Sequence, residues 1–346
     1  MDKEKLKEFA KEVKVDLIGI ASIDRFKKID PQNHPKSIFP EVKSVIVVGK
    51  RITRGALRGI EEGTQFSLYS IYGYHWLNNR ILALTTFKIC EFLEDNGYEA
   101  VPLPDIPIEV PPMGIPVKKG KPAPNVLIDI EDAAIRAGIE EISYCGIFLT
   151  EEFGPRQRFQ IILTDAEIEP DPLVKPGSIC KRCMECVKGC PSYAIPHIKE
   201  NKKIRIKIED YEYEWADIHL GKCTLSYHGG DSRVSPFIHK DFPGWNIDAR
   251  KQDFDEETAY KFCWTLSTGK WRKTKEFPSG YIIEGHAMIQ KWGEGGSYGI
   301  CGSRGCMRSC FNYLEKKDII EQKFEGGDFI KRKRWILPYK VKKIKN

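Results

Sequence analysis

Apolar positions recur along the first 170 residues with two periods. Leu6, Phe9, Ala10 and Val13 fall at i, i+3, i+4 and i+7, which predicts an amphipathic helix over 3–13 with Asp2 placed to cap it. Two short runs rich in Val and Ile, 16–22 and 44–49, predict buried strands, with 31–40 as the loop between them. Residues 76–96 carry the longest helical pattern, with Leu77, Ile81, Leu84, Ile89, Cys90 and Leu93 apolar and Gly97 as the stop. A strand over 99–103 follows. Eight prolines then crowd 102–124, which predicts an irregular insertion over the surface or a cleft. A helix is expected over 129–137, ending at Gly138, and strands over 144–149 and 159–164. Past Pro170 the pattern gives way to Cys, Gly and short polar loops up to about residue 315. No repeat of solenoid period is visible.

The chain of 346 residues is 41% hydrophobic and 30% charged, so it can bury a core, as one large domain or two ordinary ones. Its formal charge of +6 owes much to Lys331–Arg334 and to the lysines from 340 to 345, read as a solvated basic tail. No run of about 18 apolar residues is present, which argues against a membrane span. The opening residues lack the apolar core of a signal peptide and any twin-arginine pair, so the expected location is cytoplasmic. In that setting eleven cysteines point to metal or catalysis rather than disulfides.

The sharpest motif is Cys180-x₂-Cys183-x₂-Cys186-x₃-Cys190-Pro191. That is the spacing of a bacterial ferredoxin run, in which three thiolates of one tight loop reach one cubane and the fourth ligates the other. Pro191 suits the first turn of a helix opened by Cys190. A structural zinc site would need only four cysteines, usually as two separated pairs. A second group, Cys301-x₄-Cys306-x₃-Cys310, repeats the x₃ step without the proline. Two cubanes need eight thiolates, and the two groups supply seven. Cys90 and Cys145 lie in apolar segments and read as core. Cys223 and Cys263 lie between the groups and stay open as the eighth. Cys223 with His228 is also a thiol–imidazole pair, more simply a turn. The glycines at 293–296 lack the strand–turn–helix context of a phosphate loop.

These residues resemble the cobamide-dependent reductases, a family that includes the reductive dehalogenases and epoxyqueuosine reductase. VDLIGIA (15–21) is similar to the family's opening strand, and FPEVKSVIVVG (39–49) follows it. AIRAGIEEIS (134–143) with FLTEEFGPRQRFQIILTD (148–165) is similar to the dehalogenase pattern KAGLGELGR…LITPEYGPRVRLASVLTD. The resemblance covers roughly residues 5–315.

It implies an α+β fold: a nitroreductase-like cobamide-binding half (1–170), a two-[4Fe–4S] ferredoxin-like half (171–320) and a basic tail (321–346). It also implies a base-off cobamide reduced by the clusters. KFCWTLSTG (261–269) resembles the family's isolated cluster cysteine, which selects Cys263. The ligand sets are then Cys180, Cys183, Cys186 with Cys310, and Cys190 with Cys263, Cys301 and Cys306. YSIYGYH (69–75) resembles the YARGRDYH segment of epoxyqueuosine reductase, which makes Tyr74 the proton donor, with Tyr69 and Tyr72 as the other phenols. Arg158 matches an active-site arginine, with Arg156 as the fallback, and Asn125 matches an asparagine. Gly138, Thr150, Gly154, Tyr69 and His75 are the implied cobamide contacts.

Where epoxyqueuosine reductase carries a catalytic aspartate in VDSAP, this chain reads PAPNV (122–126), which weighs against a tRNA substrate and against nucleic acid as a partner. The expected activity is reductive cleavage, dehalogenation-like, or reduction of a small organic molecule. A ferredoxin- or flavodoxin-type donor would supply the electrons. An electron carrier without cobamide and a tRNA-modifying enzyme are the alternatives. Segments 104–124 and 211–253 fit neither relative and are expected to set the substrate.

Overall fold

The computed structural model describes residues 1–104, 114–241, 244–268 and 299–338, the side chains of 240, 241 and 264–268 apart. Most of the proline-rich insertion's first half, the glycine loop at 293–296, the aromatic residues after Cys263 and the last lysines lie outside the described residues.

The first half is a mixed α/β layer built on one four-stranded antiparallel sheet. Its strands are β1 (Leu17–Ser22), β2 (Ser44–Arg51), β3 (Ala100–Leu103) and β6 (Gln157–Thr164), in the order β1-β2-β6-β3. Alternation along β2 explains why it lies at the centre. Val45 and Val47 face one apolar cluster with Phe26, Phe39, Ala133 and Phe159. Ile46 and Val48 face another with Leu6, Ala10, Ile89 and Leu93. Helices therefore cover both faces: Lys3–Glu12 and Ala83–Asp95 on one side, Ile130–Arg136 on the other. The Asp2 carboxylate accepts the Lys5 amide (2.8 Å) and caps the first helix; Asp129 caps the third. Gly19 is required where it stands, because a Cβ there would lie 2.5 Å from the Ala137 carbonyl.

Two expectations shift. The long helix starts earlier and contains π-helical stretches, Ile71–His75 and Leu77–Leu82, before the α-helix Ala83–Asp95. A π turn holds more residues than an α turn and rotates the faces that follow it. Leu82, Ile89, Cys90 and Leu93 end up buried, whereas Ile81 (42% exposed) and Leu84 (67%) point outward. The strand expected over 144–149 shrinks to β5 (Phe148–Leu149), paired with β4 (Glu141–Ile142) in a separate sheet. Residues 143–146 form a turn instead, closed by the Gly146 amide on the Ser143 carbonyl (3.0 Å).

The second half carries a hairpin, β7 (Lys203–Ile208) with β8 (Tyr211–Ala216), and the helices Glu185–Gly189, Leu220–Tyr227, Glu256–Thr268 and Cys306–Lys316. The period-2 runs KIRIKI and YEYEWA announce the hairpin, and the reading of loops over this stretch overlooked it. A shared core joins the halves, in which Ile52, Leu57, Ile60, Phe66 and Tyr69 pack with Ile179, Ile300, Met307, Phe311 and Phe329. In the segment expected to be a solvated tail, Lys331, Arg332 and Lys333 are exposed, but Phe329 and Trp335 anchor it to the body, and the lysines from 340 lie outside the described residues. Phe329 is buried, the Trp335 indole donates to the Ile60 carbonyl (2.8 Å), and Arg332 pairs with Glu62 (3.0 Å). Among the described residues no helix is long and apolar enough to cross a membrane.

Candidate functional site

The cysteine run folds as a loop with left-handed backbone at Arg182 and Met184, then the short helix Glu185–Gly189. The helix lies inside the run and ends before Cys190; it does not start there as the proline suggested. The second group is delivered by the helix Cys306–Lys316, whose first residue is Cys306 and whose next turn is Cys310. This helix packs against Glu185–Gly189 because Gly189 has no side chain; a Cβ there would lie 2.1 Å from the Ser309 hydroxyl.

The thiols then sort into two sets. Cys186 lies beside Cys180 and Cys310, and Cys310 beside Cys180 and Cys183. Cys301 lies beside Cys190, Cys223 beside both of these, and Cys306 beside Cys301 and Cys223. Each set thus takes one member from the other's run. Burial pushes the Cys180 and Cys223 thiols up, and that of Cys301 to about 12. Metal binding has to displace these protons.

At the eighth position the packing distinguishes the two candidates. Cys263 is buried in a different apolar cluster, with Leu225, Ala249 and Ala259, and its sulfur faces the Leu225 carbonyl at 4.0 Å. Cys223 packs instead in the cluster that holds Cys180, Cys186, Cys190 and Cys306. Cys145, expected to be core, sits between the sets. It adjoins Cys186 and Cys306, one from each, and lies 3.3 Å from the Ser143 hydroxyl. Nothing in its local sequence announces this, because the turn at 143–146 that places it was read as strand.

Helix Leu220–Tyr227 carries Cys223 and ends at Tyr227, whose carbonyl accepts the Ile300 amide (2.9 Å), next to Cys301. The Tyr227 phenol is near Tyr69, Arg158 and Tyr74, and burial pushes it well up, so it holds its proton at neutral pH. A Cβ at Gly299 would lie 2.7 Å from the Tyr69 ring and 3.1 Å from the Tyr227 oxygen, so only glycine fits between the two tyrosines.

Arg158 organises this second centre. It donates Nη2–H to the Tyr69 hydroxyl (3.0 Å) and Nε–H to the Gly73 carbonyl (3.1 Å), and it lies over the Tyr74 ring (4.8 Å). Gly73 makes this possible, since a Cβ there would lie 2.7 Å from the Tyr69 ring. The phenol oxygen in contact with the cation therefore belongs to Tyr69, whereas Tyr74 offers its face. The His75 ring meets Tyr74 edge-on at 5.5 Å. Arg156, the fallback, is a buried strut whose guanidinium donates to the Ile52 carbonyl (2.7 Å) and the Gln322 amide oxygen (2.6 Å). The His228 ring lies edge-on to Tyr227 (4.9 Å) and Tyr260 (5.6 Å), and burial pushes it down to about 4.

No family model matches the chain. A tetrachloroethene reductive dehalogenase of Desulfitobacterium hafniense is 32% identical over 218 residues, 58% of this chain and 36% of that relative. The protein of the same name from Dehalobacter restrictus matches to the same extent, 32% over 218 residues. Over those 218 residues the chain is similar to the reductive dehalogenases. It spans about a third of the length of the curated relatives it matches, 36%. Among solved structures it is similar to epoxyqueuosine reductase from Streptococcus thermophilus, with TM-score 0.44 and 17% identity over 74% of this chain and 70% of that one. It is also similar to a catabolic reductive dehalogenase in complex with 3-bromo-4-hydroxybenzoic acid, with TM-score 0.43 and 15% identity over 76% and 34%.

The positions that the dehalogenase resemblance assigned to a cobamide fare unequally. A Cβ at Gly138 would lie 2.1 Å from the Pro172 carbonyl, and one at Gly154 would lie 2.8 Å from Ile320, so both glycines serve internal packing. The Thr150 hydroxyl is buried and accepts the Phe153 amide (3.1 Å), closing the turn before β6. Asn125 is on an exposed loop, its carbonyl held by the Gln32 amide (3.0 Å). Tyr69, Tyr74 and His75 gather around Arg158. Two cubanes fit the thiol sets, since a cubane's four thiolates each bind a different iron and stay apart. Among the described residues no group of three or more His, Cys, Asp or Glu side chains is arranged to hold a metal ion.

Proposed function

We propose that this chain is an oxidoreductase that passes electrons through two [4Fe–4S] clusters to the Arg158 site, where a small organic substrate is reduced, in a dehalogenation-like cleavage. The ligand sets are Cys180, Cys183, Cys186 with Cys310, and Cys190, Cys223, Cys301 with Cys306. The observation that carries this reading is the helix Leu220–Tyr227, which holds one thiol of the second set and ends against the tyrosines around Arg158. Electron store and reaction site are thus one short helix apart.

Reductive cleavage of a carbon–halogen bond consumes two electrons and one proton and releases the halide. A base-off cobamide at the site would supply a low-valent cobalt as the reductant; the dehalogenase resemblance supports it. The chain's own residues provide the proton and its control. Arg158 holds the Tyr69 oxygen by a hydrogen bond of 3.0 Å, so Tyr69 is the phenol best oriented to give a proton to a substrate. That moves the role from Tyr74, whose ring the guanidinium covers. A ferredoxin- or flavodoxin-type carrier would reload the clusters.

The packing roles of Gly138, Thr150 and Gly154 favour a second reading, an iron–sulfur electron carrier without cobamide. A nucleic-acid arm is disfavoured by the docking of 329–335, which engages Arg332 and Arg334. The deciding experiment is metal analysis with EPR on protein purified without oxygen and reconstituted with iron, sulfide and a cobamide. About eight irons with about one cobalt support the reductase, whereas about eight irons and no cobalt leave the carrier.

A further inference from the structure

The two thiol sets lie in electrostatic surroundings of opposite sign. Beside the first set is Glu141, 3% exposed. Its carboxylate accepts the amides of Gly177 (2.6 Å), Ile179 (2.7 Å) and Cys180 (3.1 Å), and no cation pairs with it among the described residues. Around the second set are arginines. Arg304, 4% exposed, stands between Cys301 and Cys306, lies over the Trp335 ring (4.2 Å) and donates to the Trp335 carbonyl (3.1 Å). Arg334 is half-buried and donates to the carbonyl of Gly189, the residue before Cys190 (2.6 Å). Arg233 donates to the carbonyl of Pro191, the residue after it (2.5 Å). Arg233 is balanced by Asp231 and Asp248, each at 2.9 Å. Arg304 and Arg334 have no carboxylate partner among the described residues. The first set thus has one buried carboxylate beside it, and the second has two arginines without a carboxylate partner, opposed by Glu256 near Cys223.

Adding an electron makes a cluster more negative. Nearby buried cations stabilise that state and nearby anions oppose it, with far less screening than at the surface. We propose that Glu141 and the pair Arg304 and Arg334 make the electron relay one-directional, raising the potential of the cluster at Cys190, Cys223, Cys301 and Cys306 above that of the cluster at Cys180, Cys183, Cys186 and Cys310. This rests on the two-cluster reading. Each transfer moves one electron: the first cluster is oxidised by one equivalent and the second reduced by one, without a proton. A low-potential one-electron carrier reloads the first, where Cys183 is partly exposed. The second is the one that adjoins Tyr227 and Arg158. These three residues are positioning residues for the relay, and no signal in the cysteine spacing predicted them.

The test is an EPR-monitored redox titration of the full chain reconstituted with iron and sulfide only, reduced stepwise with dithionite. In the unaltered protein the two clusters should titrate at separate midpoints. Arg304→Met should move the higher midpoint negative and leave the lower in place, whereas Glu141→Gln should move the lower one positive and leave the higher. Arg304→Lys should restore most of the shift. Arg334→Met gives the same reading at a less buried position should Arg304→Met fail to fold. If the arginine and glutamate variants move the same signal, or neither moves any, the proposal is wrong. An iron content of about four or less would instead overturn the two-cluster reading itself.

Discussion

Strand β2 and the loop from Cys180 to Pro191 are both largely buried, yet by different means. Val45, Ile46, Val47 and Val48 are shut away by helices on both faces of a regular sheet, and every strand amide has a ladder partner to meet. The cysteine loop has one short helix and two left-handed residues, and its interior consists of thiols. Its anchoring amides bond to one carboxylate, Glu141, rather than to a neighbouring strand. The sheet is held by apolar area, which needs nothing from outside. The loop brings together protonated thiols that repay their burial only when metal replaces the protons. The sheet therefore rests on apolar packing, and the loop on polar anchoring to one carboxylate.

The strongest way to break this comparison is to remove thiols from either side of the eighth position. Cys223→Ser should lower the iron content from about eight to about four per chain and abolish one of two EPR signals. Cys263→Ser should leave both intact. The reverse result would restore Cys263 as the ligand and undo the grouping drawn from the packing. In the sheet, Ile162→Ala should cost about 2–5 kcal/mol in denaturant unfolding while the iron content stays unchanged, since Ile162 is fully buried in an apolar cluster whose cysteine, Cys90, belongs to neither thiol set. Loss of iron in that variant would show that the two halves do not stand apart.

The smallest effect concerns the hairpin beside the first thiol set. Burial by itself pushes the Glu214 carboxyl up, but hydrogen bonds from Arg205 (2.8 Å) and Lys203 (3.0 Å) and the charge of Arg182 outweigh it and bring it down to about 2. A carboxyl lowered on folding stabilises the protein above its ordinary range and loses that contribution as pH falls from about 4.5 towards 2. Glu214→Gln should cost about 1 kcal/mol at neutral pH, because its partners are largely solvated. It should also flatten the fall in Tm over that pH window. An unchanged acid slope would place the acid sensitivity elsewhere.

Much of this protein was legible in one dimension. The 3.6 and 2.0 periods located the helix at Lys3–Glu12, the central strands and the helix at Ile130–Arg136, because one-sided burial imposes those periods directly. The C-x₂-C-x₂-C-x₃-C-P spacing marked a loop that gathers thiols, since it reflects local reach along the chain. Arg158 was reached through a resemblance, and it does meet the tyrosines.

What the sequence did not show depended on contacts between distant segments. The π turns rotated Ile81 and Leu84 outward although their spacing fits the apolar face. Cys223 and Cys263 are equivalent in a list of cysteines, and only the packing of the helix Leu220–Tyr227 against Cys190 and Cys301 separates them. The same holds for Gly138 and Gly154, whose neighbours Pro172 and Ile320 come from elsewhere in the chain. The sequence by itself determined which segments bury one face and which thiols lie within one loop, because both are short-range properties. Which charges surround each thiol set, and which tyrosine meets Arg158, was decided by tertiary structure, because electrostatic fields and hydrogen bonds depend on distance in space.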